Sequence, residues 1–144
     1  MNQKKHEFRP QIGEVYLMKF DGDDSEQKKM RPGIVFQNNI GNVHSPNIIA
    51  LPLTGHLKKI TQPTHVIVRA SDTGLKCDSV ALCENPVCMS KKKIGNYITT
   101  LPDKYMKQIA AASLLATSAI AYLDMDSLAD VWGRAIRLNS SIPA

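Results

Sequence analysis

Short apolar runs separated by turn-forming residues fill the first two thirds of the chain and predict β-strands. Residues 33–36 and 48–51 are rich in Ile and Val, and Pro, Gly or Asn bounds each run, as is typical of buried strands. Further strands are predicted at 64–68, at 79–84 and near the end of 91–98, and residues 41–47 are predicted to be a plain turn. The first strand, residues 12–20, presents two apolar faces, with Val15 and Leu17 on one and Tyr16, Met18 and Phe20 on the other.

The apolar period changes to that of a helix after residue 100. The stretch Lys104–Leu123 is predicted to be one helix. Thr100 and Asp103 match a capping box at its start, and Pro102 fits its first turn. A second, shorter amphipathic stripe covers residues 128–136 and contains Trp132, which we expect in the core or in a dimer contact. The apolar face of the first helix is expected to comprise Met106, Ile109, Ala110, Ser113, Leu114, Thr117, Ile120 and Ala121.

Strands at short intervals followed by helices predict a mostly β fold with C-terminal helices, of the α+β class. We expect an antiparallel, partly closed β-barrel with helices packed on it. A chain of 144 residues is long enough for one such domain with a core of its own. The predicted organisation is a flexible N-terminus at 1–11, the barrel with its helix at 12–123, and an extra amphipathic helix and tail at 124–144.

Two polar residues stand at the ends of the central strands. Arg31 precedes Pro32, which has no N–H for a ladder and belongs at a strand's start or edge, so we expect Arg31 just outside the sheet. Pro52 likewise ends regular pairing shortly before Thr54. If the two strands pair antiparallel, Arg31 and Thr54 lie at the same end of the sheet. A guanidinium beside a hydroxyl suits a phosphate, although either residue alone would more often be a structural strand-end group.

The charge balance favours an anionic partner. The net charge is +5 and the sequence pI is about 9.2, although many small basic proteins bind nothing anionic. The pairs Lys28–Lys29 and Lys58–Lys59 flank the predicted site and suit the positioning of phosphates. With three Phe, four Tyr and one Trp, base stacking is limited to a few candidates, which are Phe20, Phe36 and Tyr97.

Cysteine usage and apolar run length exclude several other classes. Cys77, Cys83 and Cys88 form an odd set with no C-x-x-C, which is neither a disulfide framework nor a zinc site. We therefore expect no metal, no cofactor and reduced thiols in a cytoplasmic protein. Residues 1–8 lack the apolar run of a signal peptide. No apolar run approaches the roughly 18 residues of a membrane span, so no membrane contact is expected.

A series of short motifs follows in order from about residue 12 to residue 122. They are IGEVY at 12–16, SEQKKMRP at 25–32, NN at 38–39, LPLT at 51–54, PTHV at 63–66, GLKCDSV at 74–80 and KIG at 93–95. One such motif would be a weak signal, but the ordered set with its spacing is specific. On these residues the chain resembles the PemK/MazF family of toxin–antitoxin ribonucleases.

This resemblance implies a fold, an activity and partners. The implied fold is a small SH3-like, CcdB/MazF-type twisted barrel with a C-terminal helix, working as a homodimer. The implied activity is metal-independent, sequence-selective cleavage of single-stranded RNA (mRNA) by attack of the RNA's own 2′-hydroxyl, which leaves a 2′,3′-cyclic phosphate and a 5′-hydroxyl. The implied protein partner is an antitoxin that inserts an extended acidic tail into the cleft.

The resemblance also assigns roles to residues. The family's catalytic Arg and Thr correspond to Arg31 and Thr54, whose guanidinium and hydroxyl suit the negative charge of the transition state. The base that deprotonates the 2′-hydroxyl is left open between Glu26 and His56, which are candidates by position only, and His56 and His65 are otherwise expected to be structural. The expected substrate-binding residues are Gln27, Lys28, Lys29, Asn38, His56, Lys58 and Glu84.

Residues 84–90 depart from the family pattern. Relatives carry Gln and a second Arg here, whereas this chain has Glu84 and no second Arg, and Pro86 is expected to break the strand. The departure leaves an alternative open, namely a catalytically impaired barrel of the same fold that binds nucleic acid or protein. A weaker alternative is a gyrase poison of the CcdB kind, because Trp132–Gly133 matches its C-terminal Trp-Gly.

Overall fold

The computed structural model of the protein describes residues 8–21, 30–57 and 62–140. Its strands are β1 (Glu14–Met18), β2 (Arg31–Val35), β3 (Asn47–Thr54), β4 (His65–Val68), β5 (Ser79–Leu82), β6 (Val87–Ser90) and β7 (Ile94–Thr100). Its α-helices in these ranges are α1 (Asn39–His44), α2 (Ala70–Thr73), α3 (Asp103–Thr117) and α4 (Met125–Ser140). None of these helices is long and apolar enough to cross a membrane.

The strands form one antiparallel sheet in the order β4-β5-β3-β2-β1-β7, with β6 also paired to β3. The long strand β3 is central, since β2 lies along one side of it and β5 and β6 share the other side. The predicted α+β class, with an antiparallel sheet and C-terminal helices, is confirmed. The sheet is not closed, because β4 and β7, the ends of this order, have no ladder between them in the described ranges.

Each face of the sheet carries a separate apolar cluster. Val15 of β1 belongs to the cluster that α3 covers, whereas its neighbours Tyr16 and Met18 belong to the cluster on the opposite face. The prediction of a first strand with two apolar faces is therefore confirmed. Burial on both faces accounts for the near-continuous apolar runs of the central strands.

The buried face of helix α3 is rotated by about one residue from the face predicted for it. Its buried side chains are Tyr105, Ile109 and Ala112, while Leu114 is 43% exposed. The helix ends at Thr117 rather than at residue 123, because Ser118 adopts a left-handed conformation with φ of 54° and a short 3₁₀ turn follows.

The capping box predicted for α3 is wrong. Pro102 occupies the N-cap position, and no side chain caps the helix there. Thr100 is still part of β7, and its hydroxyl bonds the Tyr97 hydroxyl at 2.7 Å instead of a helix N–H. Thr100 therefore belongs to β7, although the local pattern predicts it to cap the helix.

The connection between β2 and β3 is a helix rather than the predicted plain turn. Asn38 caps α1, because its side-chain oxygen accepts the N–H of Gly41 at 2.9 Å, which satisfies one of the unpaired donors of a helix start. Asn42 is fully buried, and its amide donates to the carbonyl of Gln37 at 2.9 Å. Asparagine is favoured both in turns and at helix N-caps, and here Asn38 is the N-cap of α1.

Trp132 is 69% exposed on α4. The expectation that it lies in the core of the chain is therefore wrong. The alternative expectation, a dimer contact, stays a prediction.

A polar cluster ties α2 to α3. The carboxylate of Asp72 accepts hydrogen bonds from Lys104 Nζ at 2.8 Å and from the hydroxyl of Tyr105. The Tyr105 hydroxyl in turn accepts the N–H of Arg69 at 3.2 Å. The hydrogen bond from Lys104 and, to a smaller extent, the one from Tyr105 lower the pKa of Asp72 from its ordinary value of 3.8.

This cluster predicts a dependence of stability on acid pH. Because folding lowers the pKa of Asp72, its stabilising effect is complete above its unfolded pKa and is lost as the pH falls through the folded pKa. We expect the urea midpoint of the wild type to fall more steeply below about pH 4 than that of Asp72→Asn. Asp126→Asn on α4 removes one negative charge elsewhere and should follow the wild type. Equal slopes for the wild type and Asp72→Asn would contradict the prediction.

Candidate active site

The antiparallel register of β2 and β3 places Arg31 and Thr54 at the same end of the sheet. Gly33 pairs with Pro52, Ile34 with Leu51 and Val35 with Ala50. Continued by two residues, this register sets Arg31 directly across from Thr54. Residues directly opposite in an antiparallel pair project from the same face. The prediction that Arg31 and Thr54 lie at the same end of the sheet is therefore confirmed.

Arg31 lies within the sheet rather than just outside it as predicted. It is the first residue of β2, and it pairs with Met18 of β1. Pro32 lies in the strand as well, paired with Leu17. Because Arg31 is exposed while its backbone lies in a ladder, its guanidinium projects into solvent from a rigid base.

Gly33 lets the sheet pack closely beside this arginine. A Cβ at that position would lie 2.5 Å from Met18 Sδ and 2.8 Å from Phe20 Cζ, which is closer than van der Waals contact allows. The absence of a side chain at Gly33 leaves room for Met18 and Phe20 across the strands. Met18, which pairs with Arg31 in the ladder, is fully buried.

The Thr54 hydroxyl is held by the chain that follows it. Its Oγ1 accepts the N–H of His56 at 3.3 Å, in a local turn of the kind that Ser and Thr often form. An oxygen that accepts here keeps its own proton for donation to a further acceptor. On its other side, Thr54 pairs with Val80 of β5. The side chain of His56 is exposed next to this turn.

Two of the residues predicted to bind substrate, Asn38 and Glu84, do not lie beside Arg31 and Thr54. Asn38 follows the far end of β2, roughly 13 Å or more from Arg31 at about 3.3 Å per residue, and its side chain caps α1. Glu84 follows the end of β5 that points away from Thr54. The sheet register therefore separates both residues from the position opposite Thr54.

Glu84 is engaged with His65 instead. The Nε2 of His65 lies 2.8 Å from Oε1 of Glu84, and the His65 side chain is only 8% exposed. Burial opposes ionisation of Glu84, but hydrogen bonds from its own backbone, from His65 and from Thr64 outweigh it and hold its pKa below the ordinary value. The structural role expected of His65 agrees with this contact.

The other predicted site residues fall outside the described ranges. They are the candidate base Glu26 and the predicted RNA ligands Gln27, Lys28, Lys29 and Lys58. Their roles stay predictions. Within residues 8–21, 30–57 and 62–140, no three His, Cys, Asp or Glu side chains converge in a way that could hold a metal ion.

An aromatic group lies on the same face as Arg31. Tyr16 pairs with both Gly33 and Tyr97, and its ring makes edge contacts with Tyr97 at 5.6 Å and with Phe8 at 5.3 Å between centroids. Burial and, to a smaller extent, the negative charge of the nearby Glu14 raise the pKa of Tyr16. Tyr97 is 54% exposed. Of the three stacking candidates, Tyr97 therefore presents the most accessible ring, whereas Phe20 and Phe36 pack against the apolar clusters.

Sequence reasoning did not place Cys77 at this site. Its exposed sulfur lies 3.2 Å from the position that a Cβ of Gly55 would take, and Gly55 follows Thr54 directly. The neighbouring pair Thr54–Val80 explains this proximity, since Cys77 precedes β5 by two residues. Such a cross-strand contact leaves no local signal in the sequence.

Comparisons with known proteins agree with the fold and with the motifs. Residues 11–115 match the family model of PemK-like, MazF-like toxins of type II toxin–antitoxin systems. Endoribonuclease MazF of Staphylococcus saprophyticus is 38% identical over 98 residues, which cover 67% of this chain and 82% of that protein.

Solved structures show the same fold. A mycobacterial endoribonuclease, solved in complex with its cognate antitoxin, superposes with a TM-score of 0.63 at 26% identity, covering 76% of this chain and 95% of that one. A MazE–MazF structure from Deinococcus radiodurans gives a TM-score of 0.64 at 16% identity, covering 77% of this chain and 98% of that one. At that identity the second likeness shows the fold alone.

Proposed function

Because this chain belongs to the PemK-like, MazF-like family of type II toxin–antitoxin toxins, we propose that it is a sequence-selective endoribonuclease that cleaves single-stranded mRNA without a metal ion. The observation that supports the proposal is the antiparallel register of β2 and β3, in which Arg31 and Thr54 belong to the same end of the sheet. An exposed guanidinium beside a hydroxyl donor on a rigid sheet suits the charge of a phosphodiester undergoing attack.

The RNA supplies the nucleophile in this reaction. Its 2′-oxygen bonds to the adjacent phosphorus, the bond from phosphorus to the 5′-oxygen breaks, and the products are a 2′,3′-cyclic phosphate and a 5′-hydroxyl. Negative charge grows on the non-bridging oxygens as the new bond forms. Arg31 can donate two parallel hydrogen bonds to those oxygens, and Thr54 can donate its free hydroxyl proton to a phosphate oxygen. Both groups therefore stabilise the transition state.

Proton transfer and substrate binding complete the proposal. Glu26 and His56 are the candidate bases for the 2′-hydroxyl, and His56 is exposed two residues after Thr54. The lysines Lys28, Lys29 and Lys58, with Gln27, are proposed to position the backbone of the RNA. The net charge of +5 supports an anionic substrate.

We further propose that the toxin works as a homodimer in the cytoplasm and is neutralised by a cognate antitoxin. The mycobacterial relative was solved with its antitoxin, which supports a protein partner of this class. An acidic, extended antitoxin segment would match the positive net charge of this chain. If the antitoxin neutralises the toxin, adding the antitoxin from the same operon should abolish RNA cleavage, which the initial rate measures.

A substitution at Thr54 tests the donor role of its hydroxyl. Thr54→Val keeps the shape of the side chain and removes the donor, so we expect cleavage to slow by about a hundredfold. Thr54→Ser keeps the hydroxyl and should retain most of the rate. The measurement is the initial rate on a fluorescent single-stranded RNA, with EDTA present to test metal independence. Full activity of Thr54→Val would remove Thr54 from the proposed site.

A further inference from the structure

Four lysines continue the end of the sheet at which Arg31 lies. Arg31 pairs with Met18 of β1, and Met18 pairs on its other side with Ile94 of β7. Lys19 directly follows Met18, and Lys91–Lys93 directly precede Ile94. The N–H of Lys19 donates to the carbonyl of Lys93 at 2.9 Å, so the two segments stay side by side beyond the last ladder pair. The lysines therefore lie one and two strands away from Arg31, at about 4.8 Å per strand.

This group of lysines carries an excess of positive charge. Lys19 and Lys92 are exposed. Lys93 forms an ion pair with Asp21, and the charge of Lys19 also acts on that carboxylate. Among the residues that the structure describes, Asp21 is the one acidic side chain that pairs with a member of this group. A single carboxylate beside the lysines leaves a patch that attracts anions.

An accessible aromatic ring lies on the same face as Arg31 and close to these lysines. Tyr97 pairs with Tyr16, and Tyr16 pairs with Gly33, which lies two residues along β2 from Arg31. At spacings of about 4.8 Å per strand and 3.3 Å per residue, the backbones of Tyr97 and Arg31 are about 12 Å apart. Tyr97 follows Lys93 by four residues, so the backbones of these two residues are at most about 13 Å apart.

The Tyr97 ring is held in place by the sheet before anything binds to it. Its hydroxyl hydrogen-bonds to the hydroxyl of Thr100 at 2.7 Å, and the ring makes an edge contact with Tyr16 at 5.6 Å between centroids. Tyr97 is nevertheless 54% exposed. A ring that is already held loses little conformational freedom when a flat group stacks on it. Its exposure and its fixed position together suit a platform for stacking.

The surroundings of the ring favour RNA as the group that covers it. A strand cut at Arg31 and Thr54 extends from there in both directions, so it must cross the surface beside the site. Proteins that hold single-stranded RNA combine a positively charged path for the phosphates with aromatic side chains on which bases stack. An acidic peptide would match the lysines, but every base also offers a flat face to the ring. Lysine is depleted in protein–protein interfaces.

We propose that the RNA cleaved at Arg31 and Thr54 continues across the ends of β1 and β7. Lys19 and Lys92 bind its phosphates there, and one base stacks on Tyr97; these three residues form the RNA path. This inference rests on the proposed function, since it extends the course of the same RNA. The contacts are made equally before and during the reaction, because they lie away from the reacting phosphorus. They therefore lower KM and leave kcat unchanged.

Binding of an RNA that cannot be cleaved tests the stacking contact apart from catalysis. The probe is a fluorescent, fully 2′-O-methylated single strand of random sequence, which lacks the 2′-hydroxyl nucleophile. Tyr97→Ala should raise Kd about fivefold to a hundredfold, the usual effect of losing one stacked base. Tyr97→Phe keeps the ring and should stay within about twofold of the wild type. Tyr122→Ala removes a tyrosine that is 90% exposed after α3 and is the matched control.

The salt dependence of binding tests the two lysines with the same probe. Each phosphate contact on a single strand contributes about 0.7 to the slope of log K against log salt concentration. Lys19→Gln and Lys92→Gln should therefore each make the slope shallower by about 0.7. Lys107→Gln removes one exposed lysine from α3, which covers the opposite face of the sheet. This control should keep the slope of the wild type.

Kinetics on a cleavable RNA distinguish Tyr97 from the proposed catalytic pair. Tyr97→Ala should raise KM and keep kcat, whereas Arg31→Ala should lower kcat. An unchanged Kd in Tyr97→Ala, or unchanged slopes in both lysine variants, would overturn the RNA path and leave the cleavage proposal standing. Binding that depends on Tyr97, without cleavage by the wild type, would support the RNA path and overturn the proposed activity.

Two further outcomes count against the RNA path. Weaker antitoxin binding or weaker self-association in Tyr97→Ala, with RNA affinity unchanged, would assign the ring to a protein contact instead. A wild type that neither binds the methylated probe nor cleaves RNA would overturn both the RNA path and the proposed function.

Discussion

Replacing Arg31 by alanine is expected to slow RNA cleavage by about a hundredfold to a thousandfold, the usual cost of removing one preorganised donor to a charged transition state. The guanidinium is exposed and projects from a paired strand, so its loss removes charge stabilisation without removing core packing. Arg31→Lys keeps the charge and loses the two-pronged donor geometry, so it should recover only part of the rate. Initial rates on a single-stranded RNA measure both effects.

A matched control separates the role of Arg31 from the effect of net charge. Arg134→Ala removes one exposed arginine on α4 and should leave the rate within about twofold of the wild type, because it changes the net charge equally but lies outside the proposed site. Undiminished cleavage by Arg31→Ala would rule out the proposed site. RNA binding without cleavage by the wild type would instead favour the non-enzymatic alternative of the same fold.

Replacing Ile109 by alanine is expected to lower the free energy of unfolding by about 2–5 kcal/mol, the usual range for emptying a fully buried aliphatic position. Ile109 is 0% exposed on α3 and belongs to the cluster between this helix and the sheet. Its truncation leaves a cavity at the contact between the two layers. Urea unfolding followed by circular dichroism gives the difference.

Leu114→Ala on the same helix is the control for this prediction. Leu114 is 43% exposed, so its truncation should cost less than about 1 kcal/mol. The face predicted from the periodicity included both residues, and the structure buries only Ile109. Equal losses for the two variants would mean that α3 packs on the sheet in a different rotation.

The strands and the proposed catalytic pair could be predicted because both depend on local order along the chain. Apolar runs bounded by Pro, Gly and Asn mark buried strands, since the side-chain period of a strand is set within a few residues. Consecutive strands often pair antiparallel, so the ends of β2 and β3 were expected together, and the pairing of Gly33 with Pro52 agrees. Arg31 was placed one position too far out, because Pro32 was expected to begin the strand.

Contacts that are not local in the sequence could not be predicted. The contact of Glu84 with His65, 19 residues earlier in the chain and 2.8 Å away, left no local signal, and the RNA-binding role of Glu84 stays a prediction. Thr100 was expected to cap a helix, which is wrong, because β7 extends through it and its hydroxyl bonds Tyr97.

The amino-acid sequence by itself determined where most of the strands and the two C-terminal helices begin, that the chain belongs to this toxin family, and that an arginine and a threonine stand at the ends of neighbouring strands. Only the tertiary structure decided that the sheet is open, which side of α3 is buried, and that the apolar side of α4 faces outward. The physical reason is that periodicity specifies which residues share a face of an element. Whether that face is buried depends on surfaces contributed by distant parts of the chain.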